Sequence, residues 1–381
     1  MSKSKRFLLV PDKFKGSLTA EEVMQALHWG IKDIFPQAEI HSILASDGGD
    51  GFLNAIAKQL PCDEIFVVTE DPLGHQIKAR YLFDPIAKSA YVELASASGL
   101  ELLGPTDRKV MDTSTYGTGL QVKDALSRGA GKIYIGLGGS ATNDAAIGIA
   151  SAMGYRFLDK EGNPLAPIGR HLNHIATIDG AGVIPQLKEV QFYAVNDVDN
   201  PLFGSNGAAY VYARQKGASD AEIDLLDKGL GHLAGLVSQQ LGKDVAEIPG
   251  SGAAGGAAYG LKVFFDGNFL SGTDFMLDLS KAEAQMMAHP YDFIITGEGK
   301  FDHQTLNGKL IKGVTALGKR CGVPVVAVCG KLELQEQEWK TMGLSQVIEI
   351  QDKQMAASYS MANAARLIRE KVGVFLALLG E

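Results

Sequence analysis

Phe7-Leu8-Leu9-Val10-Pro11-Asp12-Lys13-Phe14-Lys15-Gly16-Ser17-Leu18-Thr19-Ala20-Glu21-Glu22 joins a short apolar run to a polar, glycine-bearing turn and the opening of a helix. Four consecutive apolar residues read as a buried strand. Thr19, with Glu22 three residues on, forms a capping box, and Val23, Ala26, Leu27, Ile31 and Ile34 recur at helical spacing until Pro36 stops the pattern. A strand that feeds a helix through a short loop is the repeating unit of parallel sheets. Outward from it, a strand near 39–44, the loop Ser46-Asp47-Gly48-Gly49-Asp50-Gly51, a helix through Gln59 and a strand near 64–68 extend the alternation to βαβαβ.

From about Asp71 the rhythm changes, because 78–83 and 89–94 flank Asp84-Pro85 like the arms of an antiparallel hairpin. A helix near 119–128, a strand at 132–137 and a helix from Thr142 follow. Strict alternation returns at the other end: a helix near 281–287, a strand at 292–296, a helix at 309–319, strands at 323–328 and 346–350, and a final helix at 361–379. Neither end alone makes a sheet of ordinary size, whereas together they supply about five strands. The expected fold is α/β, a discontinuous Rossmann-like or flavodoxin-like parallel-sheet domain over 1–70 plus 285–381, with a second α/β domain, 71–284, inserted in it.

The 381 residues are 46% hydrophobic and 21% charged, which excludes collagen, coiled coil and disorder. Glycine is the anomaly, 45 residues or about 12% against an average near 7%, and its clustering in a few loops suggests backbone approaching a ligand. A net charge of −8 and the lack of a long Lys/Arg cluster speak against a nucleic-acid partner. Cys62, Cys321 and Cys329 show neither zinc nor disulfide spacing. With only Phe7 to Val10 apolar behind the basic N-terminus, and no apolar stretch of membrane length, the expectation is a cytoplasmic protein without a membrane partner. Oligomeric state has no signal here.

Six loops carry the chemistry, several of them just after strands, where open α/β sheets place their ligands. Lys13, Lys15 and Ser17 stand before a helix N-terminus and offer positive charge and N–H groups to an anion, or form a solvated basic turn. Asp47 and Asp50 are three apart among glycines, suited to Mg2+ on substrate phosphates, to accepting a hydroxyl proton, or to capping a turn. Gly136-Leu137-Gly138-Gly139-Ser140-Ala141 fits the weak G-x-G-x-x-A dinucleotide pattern, with Asp159 about 20 residues on, and more generally offers a phosphate cradle at a helix start. Of Asp197 and Asp199, after the strand 191–195, one faces a ligand if the strand persists. Gly250 to Gly260, including Gly255 and Gly256, permits a phosphate-binding turn or close helix packing. Glu298, Lys300 and Asp302 place a possible base, a cation and a metal carboxylate in one loop, or decorate a surface turn. No Gly-Lys pair precedes Ser or Thr, so a Walker A sequence is absent, and His171-x-x-His174 lacks a third ligand.

Together these segments, from Pro11 to Leu18, Ser46 to Gly51, Gly136 to Asp144, Asn196 to Val198, Gly252 to Gly256 and Thr296 to Asp302, resemble the bacterial glycerate kinase family, type I, over nearly the whole chain. The resemblance implies ATP-dependent phosphorylation of D-glycerate, mostly at the 2-hydroxyl, in glyoxylate, glucarate and galactarate breakdown. It also implies an active site between a discontinuous Rossmann-like domain and an inserted one. The roles expected on that basis are Asp197, then Asp302, as proton acceptor, with Glu298 also in the catalytic set. Lys13, Lys15 and Lys300 would neutralise phosphate or carboxylate charge, and Asp47 and Asp50 would hold Mg2+. Gly138, Gly139 and Ser140 would cradle nucleotide phosphates, with Ser17, Gly255 and Gly256 in the nucleotide-binding set. The rivals are an NAD-dependent oxidoreductase using the Gly136 loop, a glycerate 3-kinase, and a two-lobed sensor that binds glycerate without chemistry.

Overall fold

A computed structural model describes residues 4–44, 46, 48–49, 51–303, 305–352 and 354–378. The chain opens with strand β1 (Arg6–Pro11), the helix Ala20–Ile34 and β2 (Glu39–Ser42). It continues through β3 (Asp63–Glu70), β4 (Gln76–Asp84), β5 (Ser89–Glu93), β6 (Lys132–Gly136), β7 (Arg156–Leu158), β8 (Thr177–Asp179), β9 (Gln191–Val195) and β10 (Asn268–Leu270), and ends with β11 (Phe293–Phe301), β12 (Val325–Leu332) and β13 (Gln346–Glu349). It divides into two compact units, Met1–Ser46 with Thr273–Glu381, and Asp47–Gly272.

The first unit holds an all-parallel sheet in the order β13-β12-β11-β1-β2. Numbered by their own sequence, its strands run 2-1-3-4-5, the flavodoxin-like order, whose reversal falls between β1 and β11. Phe7, Leu9, Ile295, Val326 and Val328 form its core with the inner faces of the helices Ala20–Ile34 and Ala364–Leu378. The expected capping box is present: the Glu22 N–H donates to Thr19 Oγ1 and the Thr19 N–H to Glu22 Oε2. Gly30 lets the two helices meet, since a Cβ there would stand 2.8 Å from the Arg369 carbonyl oxygen. The expected last helix is two, Ala357–Ala362 and Ala364–Leu378.

The second unit holds a mixed sheet, β10-β9-β6-β5-β4-β3, parallel from β5 to β10 and antiparallel from β3 to β5. Tyr91, Tyr134 and Tyr193 stack across three of its strands with centroids 5.2 and 4.5 Å apart. β7 and β8 form a separate hairpin. Here the structure corrects the strand reading at 64–68. β3 does not join β1 and β2 but pairs along its whole length with β4, across a turn in which the Asp71 N–H donates to the His75 carbonyl oxygen. Closing five residues into a hairpin costs less chain entropy than docking on a remote sheet. The units accordingly divide near 46 and 273, not at 70 and 285.

Candidate functional site

Most of the predicted residues line two cavities, one in each unit. In the first unit a cavity of about 500 Å³ lies beyond the end of β1 and along the C-terminal part of β11, at the point where the strand order reverses. It is lined by Lys13, Lys15, Ser17, Glu298, Lys300 and Asp302, as well as Asp12 and Lys331. The loop after β1 is held from below: the Asp12 N–H donates to the Gly297 carbonyl, the Phe14 and Leu18 backbones bond each other, and the buried Phe14 ring anchors the turn. Lys13 and Lys15 are left exposed and, among the described residues, unpaired with any carboxylate. Ser17 donates its hydroxyl proton to the Met361 carbonyl at 2.6 Å. The helix behind caps part of its own first turn, with the Glu22 N–H on Thr19 Oγ1, and Glu21 and Glu22 set negative charge there against an incoming anion. Positive charge in this cavity comes from side chains.

The Glu298 segment is a strand and not the expected loop: β11 runs on to Phe301, and Glu298 and Lys300 pair with Cys329 and Lys331 of β12. Gly297 and Gly330 allow this, since a Cβ on either would meet facing backbone oxygen at 2.0 and 2.4 Å. Lys300 Nζ is 3.1 Å from Asp302 and 2.8 Å from Glu333, so its charge is already matched. Those two carboxylates raise its pKa above the usual lysine value. Glu298 is the buried acid of the set. Its Oε1 is buried without a partner among the described residues, and burial, reinforced by Asp12 and Asp302, pushes its carboxyl above the usual range against a hydrogen bond with Thr305.

In the second unit a cavity of about 360 Å³ lies beyond the ends of β6 and β9 and takes in Gly138, Gly139, Ser140 and Asp197. The loop after β6 rests on its neighbours: the Leu137 N–H donates to the Val195 carbonyl, the Gly138 N–H to the Gly48 carbonyl, and the Ala141 N–H to the Ser98 carbonyl. Gly138 has no room for a side chain, because a Cβ would lie 2.0 Å from Gly49 Cα. The Gly272 N–H donates to Asp197 Oδ1 at 3.1 Å. Ser140 is 7% exposed.

The expected helix from Thr142 begins at Ile147, since Ala145 and Ala146 are in the left-handed region, φ +50° and +55°. Asp144, wholly buried, organises this turn by accepting from the Thr115 N–H and hydroxyl and the Ala146 and Gly148 N–H groups. Gly255 and Gly256 pack against it and do not line the cavity: a Cβ on Gly255 would meet the Thr142 oxygen at 2.1 Å. Asp159, the acid the dinucleotide pattern requires, instead accepts from Glu161 and Asn163 in a turn beyond β7. Lys216, which the sequence did not single out, lines the cavity at 2% exposure, its Nζ 2.7 Å from both Ser140 Oγ and the Thr142 carbonyl oxygen.

Asp47 and Asp50 lie outside the described residues. Among the described residues no three His, Cys, Asp or Glu side chains form a metal cage. Acidic residues of the kind Mg2+ takes beside nucleotide phosphates are present in both cavities, for Mg2+ keeps several waters and needs only one or two carboxylates. No helix of the described residues is long and apolar enough to cross a membrane.

Cavities with cations, carboxylates and glycine turns at parallel strand ends define a small-molecule α/β enzyme of the anion-handling kind. Residues 7–379 match the glycerate kinase family, so the chain belongs to that family and is a kinase. A glycerate kinase from Halalkalibacterium halodurans is 42% identical over 325 residues, 85% of each chain. A glycerate 2-kinase from Escherichia coli is 38% identical over 86% of this chain and 85% of its own. The crystal structure of a candidate glycerate kinase 2 from Salmonella typhimurium LT2 superposes with a TM-score of 0.82 at 34% identity, covering 100% of both chains.

Proposed function

We propose that the protein transfers the γ-phosphoryl group of ATP to the 2-hydroxyl of D-glycerate, giving 2-phosphoglycerate and ADP. In that reaction the oxygen–phosphorus bond to glycerate forms as the bond to the β-phosphate oxygen breaks, and the hydroxyl proton goes to a carboxylate. The observation that carries the reading is that Asp197 and the Gly138-Gly139-Ser140 turn line one cavity, which supports Asp197 as the proton acceptor and the turn as the cradle for the phosphates. Asp302 ranks second as acceptor, because Lys300 already holds it. Lys13 and Lys15 supply charge for the anionic groups of the substrates, whereas Lys300 serves its own carboxylates. One or two cavity carboxylates, such as Glu101 or Asp12, would hold a Mg2+ ion bound with the nucleotide, which would supply charge neutralisation on the phosphates. The relative named glycerate 2-kinase supports the 2-hydroxyl as acceptor.

Phosphorus NMR of the purified protein with MgATP and D-glycerate, against L-glycerate and substrate-free controls, tests this. The expected product is a phosphomonoester coupled to one CH proton. Coupling to a CH2 would mean transfer to the 3-hydroxyl, and no phosphomonoester would reject glycerate as the acceptor.

A further inference from the structure

Lys216 sits in the short turn Arg214–Lys216, ahead of Gly217, whose left-handed backbone (φ +95°) packs against the Arg108 carbonyl oxygen and carries the lysine inward. At 2% exposure it is among the least accessible cations of the described residues, and no carboxylate there pairs with it. An ammonium has three N–H donors. The Lys216 group has two acceptors, Ser140 Oγ and the Thr142 carbonyl oxygen, and both are neutral. A buried lysine with one donor unanswered among the described residues, no carboxylate in hydrogen-bond contact and only the buried Asp144 acting on it from a distance is costly as a cation, and it lines a cavity able to admit a counter-ion.

We propose that the cavity of the second unit is an oxyanion site completed by Lys216, which takes up a proton as a phosphate or carboxylate group enters. Before entry, the neutral amine donates one N–H to Thr142 and accepts the Ser140 hydroxyl proton in a hydrogen bond. On entry a proton from solvent converts it to the ammonium, whose third N–H meets the anion. Burial pushes the empty-site pKa down to about 7, with the buried Asp144 pulling the other way. The other titratable groups at the cavity are Glu101, Asp197 and Tyr212. The anion is either the terminal phosphate of a nucleotide or the carboxylate of the hydroxy acid. The proposal rests on the glycerate kinase reading only for these two sources, since inorganic phosphate probes the same chemistry without it.

Calorimetric titration at pH 8 in two buffers of different ionisation enthalpy counts the protons. D-glycerate, a non-hydrolysable MgATP analogue and inorganic phosphate are titrated separately, beside a turnover assay of the same preparation. From an empty-site pKa of about 7, occupancy of the site takes up about 0.9 proton at pH 8 and about 0.1 at pH 6. The ligand that shows this uptake is the one that reaches Lys216. Lys216→Met should abolish the uptake and weaken that ligand at least tenfold while leaving the affinity of the other near wild type. Lys216→Arg, permanently charged, should bind without proton uptake. Turnover by the wild type with no proton uptake from any of the three probes overturns the role of Lys216 and leaves the kinase standing. Uptake with phosphate but no turnover of D-glycerate does the reverse.

Discussion

Two alanine substitutions of glycine in the second unit should move its stability in opposite directions. At Gly138 the new Cβ lies 2.0 Å from Gly49 Cα and 2.8 Å from Gly49 N, where carbon atoms ordinarily stand about 3.5–4.0 Å apart. Both neighbours are backbone, so nothing can rotate away, and the two loops must separate by roughly 1.5 Å. That separation breaks the 2.8 Å hydrogen bond from the Gly138 N–H to the Gly48 carbonyl. Overpacking of about 1–3 kcal/mol adds to about 1–3 kcal/mol for a buried polar group left unpaired, roughly 2–6 kcal/mol in all. For a unit of this size, Gly138→Ala should lower the melting temperature by about 5–15 °C. Gly235 is the opposite case, exposed on the helix Asp220–Leu241 with nothing within 4 Å of its Cβ position, so Gly235→Ala should gain about 0.5–1 kcal/mol of helix propensity. Differential scanning calorimetry of both variants decides. A Gly138→Ala melt within 2 °C of wild type would show that the loops part at little cost and that backbone contact is not why glycine stands there.

Asp197→Asn keeps the oxygen that accepts the Gly272 N–H but loses the basicity, so kcat should fall by about 10²–10⁴ with the melting temperature unchanged; activity within threefold of wild type removes Asp197 as proton acceptor. Lys13→Ala, at an exposed cation unpaired among the described residues, should raise the KM for ATP or glycerate without changing the fold, and unchanged kinetics for both would return that loop to a surface turn. Glu298 has a folded pKa raised above its ordinary value near 4.5, so its stabilising contribution is present below that value and is lost as pH rises through the folded pKa. Ligand-free Glu298→Gln should therefore melt above wild type at pH 7–8, with the gap closing toward pH 4. A gap independent of pH would mean that something other than the charge sets it.

Local pattern carried the strand–helix alternation, the Thr19 cap and the hairpin of β4 and β5, because each is written in residues that touch along the chain. β3 was misassigned because its alternation fits either sheet and only the turn at Asp71 to His75 commits it. Glycine density was ambiguous for a physical reason: a backbone that receives a ligand and one that receives another backbone both exclude Cβ. Gly138, Gly255 and Gly297 prove to face backbone. Lys300 reads as a free cation until Glu333, distant in sequence, is placed beside it. Lys216 had no signal at all, since burial of one lysine in a polar stretch is decided by the packing of Gly217 on Arg108.

The strand order of the first unit sets a schedule for synthesis. β1 leaves the ribosome well before its central partner β11, which lies 286 residues further along the chain. At about 5–20 residues per second that is a wait of roughly 15–60 s, during which Phe7, Leu9 and the apolar face of the helix Ala20–Ile34 have no sheet to cover them. The second unit, contiguous from Asp47 to Gly272, can complete its own core in that interval. β1 is thus made long before its sheet can cover it, and a chaperone would have that interval in which to hold it.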